Sequence, residues 1–556
     1  MKSIKINRQW VFGTFRVLGM GFAFLFFGAC KDLTELNINP NGASEENVNP
    51  NLVLPTVLTE SAKIYLNLGY QDIAGVVQHT QKDAWASGHN DYDWGGNQSW
   101  NGYYDVLRNN TLLYKRASEE GMEFHQGVAL VMRAFMFGLI TDLWGDAPYT
   151  DALKGDEGGV EYMLPKFDTQ ETIYTGIIGE LEQANGLLSK SASDYTGIVA
   201  NADVYYRGKP EQWRKFANSL LLRYYMRIAE KMPEVAKAGI EKIVGNPGQY
   251  PIITVAADDA TMPFLGNSAS DSWPHNIQFD VDAGSNYRRL KMCSTLVDYM
   301  QALNDPRLFK WANKVEVPLK MDASLPAGTD EIRDGVRYLS PDKVGAVAID
   351  QDADYVGIPP SWSALPSAYN LNPTPGQLSY NPHVSFLNDI YKDASGPLLK
   401  VRLLSAAEVN FILAEAAVKG WSVGNGEDYY NEGIKQSLEA WTVGGSYGDY
   451  IENEGVAYEG TVKQIIEQKW IASWTAATEA WFDFRRTGYP ELVAGPVALR
   501  DVLPVRFYYM QDELSVNRQN AEAALERLEV TSHSQADNKN SAWSKPWVIQ
   551  GTGKPW

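Results

Sequence analysis

Two stretches of this chain hold the residues best suited to gripping a small molecule. Trp85, Tyr92, Trp94, Trp100 and Asn101 fall in a Gly/Asn/Asp-rich stretch, 78–104, and Trp273, Tyr287, Tyr355 and Trp362 fall in a longer Pro/Gly-rich one, 267–397. A sugar ring offers a flat CH face and a rim of hydroxyls; exposed indole and phenol rings cover the first, while amide, carboxylate and guanidinium groups pair with the second. Each ring can instead be buried under its own loop, and sequence does not separate the two cases. Acidic loops would equally suit a basic oligopeptide.

Other chemistry is thinly represented. The six histidines, 79, 89, 125, 275, 383 and 533, show no metal-ligand spacing, so no metal or other cofactor is expected. Gly444-Gly445-Ser446-Tyr447-Gly448 matches G-x-S-x-G letter by letter, but a helical pattern precedes it where a nucleophile elbow needs a strand. Asp280-Val281-Asp282-Ala283-Gly284 hints at a calcium loop and lacks the closing bidentate Glu. A glycosidase pair of carboxylates depends on a separation that sequence does not give. No catalytic residue is assigned.

At the N-terminus, Lys2, Lys5, Arg8 and Arg16 precede an apolar run that ends in Phe27-Gly28-Ala29-Cys30. A basic start, a short apolar run and small residues before Cys read as a lipoprotein signal, residues 1–29, with Cys30 the acylated first residue. Its removal takes four positive charges and moves the net charge from −19 to −23. A phosphate backbone demands a basic face, so nucleic acid is an unsuitable partner. With Cys30 lipidated, Cys293 has no cysteine to pair with. Residues 30–55, with several Asn-Pro and Pro-Asn steps, read as an extended tether, and residues 56–556 as the body.

The elements that must position these loops are helical. Residues 461–490 carry apolar positions Val462, Ile465, Ile466, Trp470 and Trp474 at helical spacing, a capping pair Thr461/Gln464, and a Gly488/Pro490 stop. The run Ser473 to Thr478 is expected to divide this stretch into two helices, with Trp481, Phe482 and Phe484 adding an aromatic face that other helices must cover. Val128 to Leu143 reads as a central buried helix. Lys209-Pro210 opens another, and Ser405/Glu408 caps a third that is followed by a partner carrying Tyr430, Ile434, Leu438 and Trp441. The fold class is mainly α: tetratricopeptide-like helical hairpins forming right-handed pairs in one large domain with long irregular ligand-binding loops.

Several strings recur in family order along the chain: DLWGDAPYTDAL, PKFDTQETIY, YRGKPEQWRKFANSLLLRYYMR, LNDPRL, SAAEVNFILAEAAVKGW, EQKWIASW, WFDFRRTGYP and LPVRFYYMQDELSVN. With Cys30-led DLTELNINPN they resemble the SusD/RagB-like outer-membrane nutrient-binding lipoproteins, in the SusD-like starch-binding-associated branch. The resemblance implies a tetratricopeptide-like core at the cell surface. It also implies a SusC-like TonB-dependent transporter as partner, an oligosaccharide as the usual ligand, membrane attachment through Cys30, and no catalysis. An oligopeptide receptor of the same uptake type is the alternative, ahead of a glycoside hydrolase or a bare helical scaffold.

Overall fold

A computed structural model describes residues 47–84, 86–280, 284–345, 348–373 and 380–556. Cys30, the signal segment, the tether as far as residue 46, Trp85 and the middle of the Asp280–Gly284 string lie outside the described residues. The body is one unit, Pro50–Trp556.

Its long helices are α1 (Pro50–Asn67), α2 (Asn101–Glu119), α3 (Glu123–Trp144), α4 (Gln170–Leu187), α5 (Pro210–Arg227), α6 (Pro233–Gly245), α7 (Ala406–Val418), α8 (Gly426–Ala440), α9 (Val462–Ala472) and α10 (Ala477–Thr487). Neighbours in sequence pack in space, α2 on α3, α4 on α5, α7 on α8 and α9 on α10, while α3 also meets α4, and α5 and α9 both meet α7. The strands are short: β1 (Thr80–Lys82), β2 (Ala260–Pro263), β3 (Leu290–Met292), β4 (Leu319–Met321), β5 (Asp330–Arg333), β6 (Val336–Leu339) and β7 (Lys400–Leu404). β1 pairs antiparallel with β3 and β2 with β7, and β6 lies between β4 and β5.

The helix signals act as the local chemistry requires. Thr461 Oγ1 accepts from the Gln464 amide at 3.2 Å, and Ser405 Oγ accepts from the Glu408 amide at 3.2 Å. The stretch 461–490 does divide, at Ser473–Ala476, and its rings Trp470, Trp474, Trp481, Phe482 and Phe484 are all buried. α3 is long and apolar enough to cross a membrane, yet nearly all of it is buried by its neighbours, as a central helix must be. Gly444–Ser446 is a 3₁₀ turn after α8, so the G-x-S-x-G string has no strand before it.

One boundary differs. Helix starts at Pro50, so residues 50–55, read as the end of the tether, belong to the body. Proline is well suited to a first helical turn, and Val53, Leu54, Val57, Leu58, Tyr65 and Leu66 supply a buried stripe strong enough to carry Pro55 inside the helix.

Charged groups cross the helical core. Arg223 of α5 bonds both carboxylate oxygens of Glu408, each at 2.7 Å, and meets Glu479 of α10 at 3.3 Å. Arg227 reaches Glu479 and Asp142, Arg485 reaches Asp142, and Lys469 meets Asp483 at 2.7 Å; Arg486 bonds Asp483 and both oxygens of Glu415. Each of these side chains is at least nine-tenths buried. The string EAWFDFRRTG therefore contributes Glu479 and Arg485 to one set of ion pairs, Asp483 and Arg486 to a second, and its aromatic rings to the packing around them.

Candidate functional site

The irregular segment between β2 and β7 forms the largest departure from the helical layers, and Trp474, in the break between α9 and α10, holds it in place. Trp311 stacks on Trp474 with ring centroids 5.2 Å apart and planes 15° apart, and meets Trp441 edge-on at 5.4 Å. Trp474 Nε1 donates to Tyr391 Oη at 2.7 Å. Buried Arg307 bonds Asp305 and Ser437 Oγ, which ties the same segment to α8. On this footing two extended runs lie side by side: Asn313 N donates to Phe386 O at 2.9 Å and Asn388 N to Trp311 O at 2.8 Å.

Those runs and the short helix Ser285–Arg289 enclose a groove of about 570 Å³, within the range of small-molecule sites. Half-buried Phe386 forms its aromatic wall, backed by Tyr287, which is 4% exposed; their centroids are 6.4 Å apart and their planes within 14°. The Tyr287 hydroxyl donates to the Leu387 carbonyl, which fixes the ring, and burial raises its pKa. Gly284, at φ +76°, starts that helix; a Cβ there would lie 2.8 Å from Ile277 Cγ2, so glycine is required both by the backbone and by the fit of Ile277 at the groove's edge.

Polar groups face the rings. Asp389 Oδ1 accepts from Asn313 Nδ2 and from Lys392 Nζ, both at 2.8 Å, and the Lys392 bond holds the carboxyl below its usual range. Lys392 Nζ also sits 5.4 Å from the Tyr287 centroid. Lys314 pairs with Asp354 at 2.9 Å, both largely exposed, and Glu316 and Arg288 complete the charged lining. Behind Phe386, the buried Lys291 ammonium lies 4.1 Å from the ring centroid and 3.5 Å from Asp83. Flat rings beside an amide, a carboxylate and ammonium groups can cover an apolar face and bond a polar rim; no nucleophile and base are brought together here.

Of the residues singled out from sequence, Tyr287 borders the groove, but its ring is 4% exposed and corrects the expectation of an open platform, because its hydroxyl is held by the Leu387 carbonyl and its face packs by Phe386. Tyr355 is half-buried, next to Asp354 and within reach of the Lys314 charge. Trp362 is half-buried, and its carbonyl accepts from Asn90. Asn101 is exposed at the start of α2. Tyr92, Trp94, Trp100 and Trp273 require correction, because their rings are 1%, 4%, 2% and 0% exposed. Trp94 meets Trp481 and Phe507 edge-on at 5.4 and 4.7 Å, Trp100 packs on Trp144 and Phe167, and Trp273 packs on Tyr70 and Tyr391. The aromatic surfaces of the helices extract these rings from their loops, since burying such area outweighs leaving it in water. Phe386, Asn313 and Asp389 went unnoticed in the sequence: they meet only because runs more than seventy residues apart pair.

A family model described as "Starch-binding associating with outer membrane", SusD-like, matches residues 45–331 and 344–510. The chain belongs to the SusD-like family. That family consists of non-catalytic binding proteins, so this SusD-like chain is an outer-membrane-associated nutrient-binding protein rather than an enzyme. No protein with a curated function matches the sequence. Among solved structures, an outer-membrane protein of Bacteroides vulgatus linked to nutrient binding is 26% identical, with 90% of this chain and 100% of that one covered and a TM-score of 0.68. A chitin-binding protein, 23% identical (90% and 100% covered, TM-score 0.67), and a SusD homologue from Bacteroides fragilis, 22% identical (90% and 99% covered, TM-score 0.67), share the fold.

Proposed function

We propose that this SusD-like chain is a lipid-anchored receptor of the outer cell surface that takes an oligosaccharide into the Tyr287–Phe386 groove and delivers it to a SusC-like TonB-dependent transporter. The observation that carries the reading is the half-buried Phe386 ring, backed by Tyr287 and lined by Asn313, Asp389 and Lys392, on a chain of a nutrient-binding family. Tyr355 and Trp362 are retained as contacts for a longer ligand, and Asn101 as a more distant one. Cys30 is the acylated residue.

The direct test titrates the full-length protein in mild detergent with a panel of oligosaccharides and oligopeptides by calorimetry, with the same samples checked for cleavage. Saturable binding of a glycan class without product supports the receptor; peptide binding alone supports the oligopeptide alternative, and product formation overturns the reading. Expressed in a host that processes bacterial lipoproteins, the wild-type chain is expected to take up labelled fatty acid and to co-purify with a TonB-dependent barrel. Cys30→Ser is expected to lose the label, and continued labelling of that variant refutes the anchor.

A further inference from the structure

Resting on the reading of this groove as the nutrient site, we infer that its ligand is an acidic glycan, one that carries carboxylate or sulfate groups. The chain has 68 acidic and 49 basic residues, so an average patch of surface is negative. The groove evens the ratio, with Arg288, Lys314 and Lys392 against Glu316, Asp389 and the Lys314 partner Asp354. Asp389 is already engaged, since one of its oxygens accepts from both Asn313 and Lys392. A chain of this net charge repels an anionic ligand at long range, so local cations are the means by which it could admit one.

The aromatic wall points the same way. A ring's face is the negative end of its quadrupole, which favours the CH groups of a neutral sugar and disfavours a nearby anion. Here both rings carry an ammonium against them, Lys392 at 5.4 Å from the Tyr287 centroid and Lys291 at 4.1 Å from that of Phe386. Lys291 is 1% exposed and cannot swing away; Asp83 faces it at 3.5 Å, and its ammonium stays fixed against the Phe386 ring. The ammonium groups offset the negative ring faces and let a carboxylate or sulfate lie close by.

The rim can also release its cations. Lys314 and Asp354 have side chains 61% and 54% exposed, and Lys392 and Asp389 are 38% and 66% exposed. Pairs this open are worth about 0–1 kcal/mol, so an incoming anion can replace Asp354 or share Lys392 at small cost. The same cations repel a basic peptide, which the acidity of the whole chain would otherwise favour.

The test uses the full-length protein in detergent and three probes of matched length: a uronic-acid oligosaccharide, a sulfated oligosaccharide and a neutral one. The expected result is at least about tenfold tighter binding of one acidic probe than of the neutral probe, with the gap narrowing between about 50 and 300 mM salt. Comparison of the two acidic arms identifies carboxylate or sulfate as the charge that is read. Lys392→Ala and Lys314→Ala, at exposed positions, are expected to weaken the acidic probe by about fivefold or more and the neutral probe by less than about twofold. Equal or tighter binding of the neutral probe, if lost in Phe386→Ala, overturns the acidic-ligand inference and leaves the groove as the nutrient site. Binding of an acidic probe that Phe386→Ala and both lysine variants leave unchanged overturns both, as does failure of all three probes in the wild-type protein.

Discussion

Arg486 with Glu415 in the helical core and Lys392 with Asp389 on the groove are both cation–carboxylate pairs, and they do opposite work. The first pair is about 2% exposed and bidentate, and sits in a network whose every member is held by another helix. The second is a single bond at 2.8 Å between half-open side chains on one short turn. Removing one partner from a buried pair leaves an uncompensated charge in a poor solvent for it, whereas water or a ligand readily replaces a partner at the surface. The core thus uses charge to fix one arrangement of helices, and the groove uses it in a form that a ligand can exchange.

The strongest challenge to that contrast is Glu479→Ala, which takes the close partner from buried Arg227 and leaves it only Asp142 at 3.7 Å, while Arg223 keeps Glu408. A loss of about 3–5 kcal/mol is expected in urea unfolding, irrespective of ligand; a loss below about 1 kcal/mol, the value of an exposed pair, would mean the network is no more demanding than the rim. The aromatic residues sharpen the same division. Trp94→Ala is expected to cost about 3–5 kcal/mol of stability, as a large core truncation does, with little direct effect on affinity. Phe386→Ala is expected to reverse the pattern, with affinity down by about 1–3 kcal/mol and the melting curve nearly unchanged. If Trp94→Ala folds normally and loses ligand, the assignment of the two rings is exchanged.

A smaller, graded effect is expected from pH. Burial lowers His79 and His89 to about 3 and His125, His275 and His383 to about 4, from an unfolded value of 6.5. Above 6.5 neither state holds these protons and the stability is complete; as pH falls from 6.5 towards 3–4, the unfolded chain takes up protons that the folded chain refuses, and stability is lost. Burial raises Asp259 to about 7 and Asp72 and Asp298 to about 6, which acts in the reverse sense as pH falls through the same range. The five histidines all titrate within this window in the unfolded chain and are expected to outweigh the carboxyls, so the urea midpoint should decline below pH 6.5; a midpoint that rises from pH 6.5 to 5 refutes the balance.

The helical half of the molecule was largely legible because its signals are local. Thr461 and Ser405 cap where their neighbours predict, the break after Ala472 falls where small and β-branched residues cluster, and Tyr430, Ile434, Leu438 and Trp441 all face inward. The groove was legible only at Tyr287. Trp94 and Trp273 look like ligand platforms in sequence, since a ring among Gly, Asn and Ser gives no sign of which distant helix covers it. Phe386 and Asn313 were invisible for the converse reason: their juxtaposition depends on the pairing of 311–313 with 386–388, a contact without local periodicity.

That pairing has a consequence for how such a receptor can change. From the groove's edge the chain runs out into the small sheet of β4, β5 and β6 and returns to hydrogen-bond its own point of departure, where Val315 N donates to Asp354 O at 2.8 Å. An excursion whose ends meet behaves as a replaceable cassette, since doubling a closed loop costs only about 0.6 kcal/mol in chain entropy. β5 is exposed along its whole length and Ile332 is 53% exposed, whereas Leu319, Leu339 and Val344 anchor the base of the excursion in a core with Ile358 and Val384. Lengthening or exchanging this excursion would alter the surroundings of Lys314 while Trp311, Trp474 and the helices beneath stayed in register. Diversity of diet could then be written into one hairpin without redrafting the scaffold.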